Sequence, residues 1–148
     1  MSRIVSFRGL MNDGDIETIP LQTNDGKTGY KITKFQMMPE TPGASDHKFV
    51  IQIFKTLPTT ASSVVNFSDQ RLLGAGEVED NPASHYPASS AGIVFDNEKF
   101  NQDIYVTCKD ISDGEKCNYY IELEQSKLDL NEQTVATLKD IRNNNVPS

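Results

Sequence analysis

Imidazole or thiol chemistry in this chain would have to rest on His47, His85, Cys108 and Cys117, its only residues of those kinds. Each histidine lies in a polar stretch, beside Asp46 and Tyr86 respectively. Acyl-transfer chemistry needs a nucleophile, an oriented imidazole and an oxyanion hole, and no nucleophile-elbow motif is present. Both histidines therefore read as solvated loop residues. Cys108 and Cys117 lack the C-x-x-C spacing of a zinc site. They read as two small apolar members of a core face, with a disulfide as the alternative if their Cα atoms come close. The oxygen-rich stretches Asn12-Asp13-Gly14-Asp15 with Glu17, and Asp96-Asn97-Glu98, have the donor type that calcium takes but no EF-hand spacing, and turn chemistry alone accounts for them. Gly74-x-Gly76 lacks the third glycine and the lysine of a phosphate loop. Tyr30, Tyr86, Tyr105, Tyr119 and Tyr120 would make a sugar platform only if their rings were exposed and coplanar. No catalytic residue, metal or cofactor is implied.

The elements around these residues are strands. Between Phe95 and Leu128 two alternating runs flank Ser112-Asp113-Gly114. Ile104, Val106 and Cys108 share one face, and Cys117, Tyr119, Ile121 and Leu123 share another. Period-two alternation of β-branched and aromatic residues marks half-buried antiparallel strands. A hairpin is expected, with Cys108 facing Cys117, Val106 facing Tyr119 and Ile104 facing Ile121.

Upstream, strands are expected over Arg3 to Met11, with Val5 and Phe7 inward and Ile4 outward, and over Ile16 to Gln22, where Pro20 implies an edge or a bulge. Tyr30 to Met38 is a strand whose alternation slips near Thr33-Lys34, the mark of a β-bulge. Further strands are read over Lys48 to Lys55, Val64 to Phe67, Arg71 to Val78 and Ala91 to Phe95. After Leu128 the periodicity changes. Asp129 and Glu132 form a capping box, and Val135, Leu138 and Ile141 recur at helical spacing, so a helix is expected from Leu130 to about Asn143. The fold class is therefore all-β, an antiparallel β-sandwich or jelly roll of about eight strands with a C-terminal α-helix. Residues 1–128 make the sandwich domain and 129–148 the helix and tail.

Composition agrees with a strand-rich protein of extensive polar surface: 36% of residues are apolar and Trp is absent. The mean hydropathy is -0.49. A formal net charge of -7 argues against a nucleic-acid backbone as partner. No stretch approaches the ~20 apolar residues that span a bilayer. The N-terminal residues do not read as a signal peptide, so synthesis and retention in a cytoplasm are expected.

VFDNEKFNQDIYVTCKD and NYYIELEQSKLDLNEQTVATLKDIRN, together with SRIVSFRGL and TNDGKTGYKITKFQMMP, resemble small virion structural proteins of tailed phages of marine bacteria, including cyanophages. The resemblance implies a structural protein of the particle, assembled in the host cytoplasm and located in the virion. Within that class a small acidic sandwich is most similar to a capsid decoration (cement) protein. Its partners would be the major capsid protein and copies of itself, not nucleic acid or membrane. The expected contact residues are Arg3, Val5, Phe7 and Arg8 at the N-terminus and Val135, Leu138 and Ile141 on the helix. A tail or head–tail connector component, and a carbohydrate-binding module for host recognition, are the alternatives.

Overall fold

A computed structural model describes residues 3–23, 26–81, 89–95, 99–111, 114–129, 131 and 135–138. Eight strands follow one another: β1 (Arg3–Asn12), β2 (Ile16–Ile19), β3 (Thr28–Pro39), β4 (His47–Phe54), β5 (Leu72–Asp80), β6 (Ser89–Val94), β7 (Ile104–Asp110) and β8 (Lys116–Lys127). They form two antiparallel sheets, of order β1-β8-β3 and β2-β7-β4-β5-β6. The apolar face of each strand turns inward, and the two faces share one core. From the three-stranded sheet come Met11, Ile32, Phe35, Met37, Tyr119, Ile121 and Leu123. The five-stranded sheet contributes Phe49, Ile51, Ile53, Val78, Ile104 and Val106. Each such side chain contributes about 1.5–3 kcal/mol by leaving water.

The expected hairpin is not formed. β7 pairs with β2 and β4, whereas β8 pairs with β1 and β3. Alternation had the faces right and the partners wrong. A period of two says which side of a strand is apolar. It does not say whether the next strand turns back within its sheet or crosses to the opposite one, since both satisfy the pattern. Cys108 and Cys117 thus enter one core from opposite sheets, and both are free, buried thiols rather than a disulfide.

The bulge in β3 lies where the alternation slips. Ile32 pairs with Leu123 and Lys34 with Glu122, leaving Thr33 as the extra residue. Its hydroxyl donates to the Glu122 carbonyl at 3.2 Å. Because of the bulge, Tyr30 and Ile32 on one side of it, and Phe35 and Met37 on the other, all face the core. β2 is an edge strand and ends at Ile19, short of the expected Gln22. Pro20 has no N–H to continue the ladder. The next two N–H groups, of Leu21 and Gln22, donate instead to Asp103 Oδ1 at 2.8 and 2.9 Å. In β5, Gly76 looks like a weakness but is required by packing. A Cβ there would run into the Met37 thioether and stand 2.9 Å from the Ala91 carbonyl.

Residues Val64 to Phe67, expected as a strand, are a loop lying over the outer face of the five-stranded sheet. Gln52 suspends it. This buried amide donates through Nε2 to the carbonyls of Ser62 and Val64 at 2.9 and 3.1 Å. Gln52→Ala should cost about 1–3 kcal/mol, the penalty for leaving such acceptors unpaired. It should also open the 58–67 segment to proteolysis. A urea titration and a timed digest check both.

The C-terminal helix is described at Asn131 and at 135–138. It docks in cis, and the stripe named for partner contacts stays outside that contact. Ala136 is buried, and Asn101 Nδ2 donates to Thr137 Oγ1 at 3.2 Å, while Val135 and Leu138 are 52% and 58% exposed. Small Ala136 lets the helix approach the 99–103 segment, which turns the bulkier Val135 and Leu138 outward. Ile141 and Glu132 lie outside the described residues.

Candidate functional sites: a buried Ser–His–Asp array and an open sheet face

His47 is no solvated loop residue. It is the first residue of β4, and its ring is 5% exposed. Its Nδ1 lies 3.0 Å from Asp110 Oδ2, its Nε2 is hydrogen-bonded to Ser45 Oγ, and its ring stacks on Phe49. Strand parity could have revealed this. His47 shares the phase of Phe49, Ile51 and Ile53, and Asp110 shares that of Ile104, Val106 and Cys108. Starting the strand at Lys48 removed the histidine from the inward set. His85 lies outside the described residues.

The order Ser45–His47–Asp110 is that of an acyl-transfer relay, in which the carboxylate fixes the imidazole and the imidazole takes the hydroxyl proton. The surroundings favour a fastening role. Ser45 reaches His47 from two residues away, a local contact that a loop makes with its own strand. The nearby Gly43 N–H donates to Asp80 Oδ2 at 2.7 Å, so it is not available to stabilise an oxyanion. Asp110 Oδ2 also accepts from the Glu115 N–H at 3.0 Å. Asp13 Oδ1 in turn accepts from the Asp110 N–H at 2.9 Å. The array ties the 41–46 loop, the start of β4, the β1–β2 turn and the β7–β8 connection together. The oxygen-rich turn serves the same end. Asp15 Oδ2 accepts from the Asn12 N–H at 3.0 Å, and Asp13 meets Lys109 Nζ at 3.3 Å. Among the described residues no group of three or more His, Cys, Asp or Glu could hold a metal ion.

The described tyrosines do not gather on one surface. Tyr30 is buried and stacks on Phe100, and Tyr119 is buried with its hydroxyl donating to Glu17 Oε2 at 2.6 Å. Gly9 makes room for that ring, since a Cβ there would stand 2.8 Å from Tyr119 Cε1. Burial and the Glu17 carboxylate both push the Tyr119 hydroxyl above its usual range. Tyr105 and Tyr120 stand on the outer faces of different sheets, and Tyr86 lies outside the described residues.

No family model matches the chain, and no curated protein matches it in sequence.

The other candidate is the outer face of the three-stranded sheet. Its register gives four cross-strand rows: Ile4–Glu124–Lys31, Ser6–Glu122–Lys34, Arg8–Tyr120–Gln36 and Leu10–Asn118–Met38. Of the expected contact residues, only Arg8 stands on this face. Arg3 is exposed at the strand end, and Val5 and Phe7 turn inward and pack half-buried against the core. They cannot offer a partner their full side chains, a consequence of the same alternation that defines the strand. The exposed apolar groups of this face are Leu10 and Met38, one row from Arg8, and Ile4 at the far end, at 40%, 60% and 55%. Tyr120 donates its hydroxyl to Glu122 Oε1 at 2.8 Å, and that carboxylate raises the hydroxyl's pKa. A groove of about 770 Å³ runs over this end of the face, lined in part by Arg8, Gln36, Met38, Asn118 and Tyr120. On the opposite sheet Val65, Phe67, Ile93 and Ile111 border a second cleft of about 410 Å³.

Proposed function

We propose that this chain is a non-enzymatic structural protein of a tailed-phage particle, a decoration protein that binds the outer capsid surface and stabilises it. The observation that carries the reading is the distribution of exposed apolar side chains. Besides Leu57, Val64 and Val65 on the 57–65 segment, they stand on three surfaces: Ile4, Leu10 and Met38 on one sheet, Phe67, Ile93 and Ile111 on the other, and Val135 and Leu138 on the helix. Apolar side chains grouped on a surface mark a contact site, whereas residues scattered singly are ordinary. The resemblance to marine phage virion proteins supports the same reading, as does β1, a ten-residue edge strand that pairs on one side only. The sugar-binding alternative loses support because two of the four described tyrosines are core residues. The connector alternative has no structural feature in its favour.

Cryo-EM of particles containing the chain tests the proposal. Density on the outside of the shell is the expected result, and density confined to the tail would overturn it. Truncation after Leu128 gives a second test. It removes Ala136 and the Thr137 bond but leaves every strand, so the sandwich should stay folded at a cost of about 1–2 kcal/mol. Occupancy on particles should fall with the loss of the Val135–Leu138 surface. Circular dichroism and quantitative particle composition read the two effects separately.

A further inference from the structure

We infer that the groove between Arg8, Met38 and Tyr120 is the surface that meets the shell, and that it takes an acidic, partly apolar segment of the shell protein. The inference deepens the decoration reading and rests on it. The first support is charge. On a chain of net charge -7, this face is basic in excess: Arg8, Lys31, Lys34 and Lys116 against Glu122, Glu124 and, just past the end of β3, Glu40. The excess lies in one residue. Lys31 stands opposite Glu124, Lys34 opposite Glu122, and Glu40 bonds through its N–H to the Lys116 carbonyl at 3.1 Å, whereas Arg8 stands opposite Tyr120. The cation with no acid opposite it, Arg8, therefore sits at the end that carries Leu10 and Met38.

The second support is composition. Arg, Tyr and Met side by side, with a concave surface between them, are the residue types on which protein–protein contacts concentrate. A guanidinium can receive a carboxylate in bidentate fashion, and the Met38 thioether is flexible enough to fit an apolar neighbour. Nucleic acid fits the same face poorly. Glu122 and Glu124 lie on its central strand, where a phosphate chain would have to pass them.

The test is co-sedimentation of the purified chain with shells of its encoding virus assembled without it. Three variants are compared with the parent: Arg8→Glu, Met38→Ala, and Lys127→Glu, exposed at the far end of β8 and outside both clefts, as a control of equal charge change. The parent should bind, less tightly as NaCl rises. Arg8→Glu should weaken binding at least about tenfold and flatten the salt dependence. Met38→Ala should weaken it about fivefold with the salt dependence retained, and Lys127→Glu should bind like the parent. Should Arg8→Glu fail to fold, Arg8→Gln is read in its place, with about a threefold loss expected.

Parent binding with all variants alike would overturn the groove assignment and leave decoration standing. An equal loss in Arg8→Glu and Lys127→Glu would overturn it too, since only overall charge would then matter. A parent that fails to bind shells sinks the decoration reading and this inference with it. Arg8-dependent binding of a short DNA duplex, or Arg8-dependent self-association of the free chain, would assign the groove to another partner.

Discussion

Asp110→Ala should lower the stability of the protein by about 3–5 kcal/mol, the cost of breaking a buried, hydrogen-bonded pair by removing one member. The side chain has no solvent exposure, so water cannot replace it. Its loss leaves the His47 Nδ1 and the Glu115 N–H facing a hole where one oxygen, Oδ2, had accepted from both. Asp110→Asn keeps the volume and should cost about 1–2 kcal/mol, because an amide oxygen is a weaker acceptor than a carboxylate. Ser45→Ala removes the hydroxyl from a half-exposed position and should cost at most about 1 kcal/mol. The ordering separates fastening from catalysis. A fastening array concentrates its energy at the buried aspartate, and no variant gains or loses a reaction. A Ser45→Ala protein that lost hydrolysis of an activated ester shown by the parent would overturn the fastening role. Urea midpoints for the three variants give the first result, and a double-mutant cycle over Ser45 and Asp110 reports how far His47 couples them.

What the sequence made legible, and what it did not, follows from the reach of each signal. The slip at Thr33-Lys34 is a local feature, and the bulge stands there. Pro20 marked an edge, and β2 is one. The inward set of β4, Phe49, Ile51 and Ile53, could be read directly from alternation. Pairing could not. β1 lies against β8, with Arg3 opposite Gln125, and no local pattern carries a partner so distant in the chain. The same blindness hid the array, because His47 and Asp110 are brought together only when β4 pairs with β7. Gln52 was hidden differently. It occupies an outward position, and its burial depends on a loop folding over the sheet. The helix's contact with its own sandwich was hidden at the level of packing. Spacing marks the apolar stripe at Val135 and Leu138, which stays exposed, while docking uses Ala136, the side chain small enough for close approach.

Stability should fall steeply above about pH 9, and the two thiols should be the main cause. Burial pushes Cys108 up to about 12, with the Cys117 thiol and then Asp13, Asp110 and Asp15 adding to the shift. Burial pushes Cys117 up to about 12 as well, against a hydrogen bond to the Met38 carbonyl that acts the other way. In the unfolded chain a thiol ionises near 8.5. Below that value both states hold the proton, and the full stability is present. Between about pH 9 and 12 the unfolded chain releases protons that the folded one keeps, so unfolding becomes more favourable as pH rises. One thiol contributes a loss of about 1.4 kcal/mol per pH unit in that window, and two approach about 2.7. The Tyr119 hydroxyl, also raised, adds its share only above about pH 10, where a free tyrosine begins to ionise. Replacing Cys108 and Cys117 together by Ala costs stability at pH 7, since each leaves a small gap. It should nevertheless flatten the alkaline limb until the variant's curve approaches the parent's near pH 10. Thermal midpoints of both proteins from pH 7 to 11, under reductant, supply the curves. Parallel curves would mean that the thiols do not carry the alkaline loss, and attention would pass to Tyr119 and its contact with Glu17.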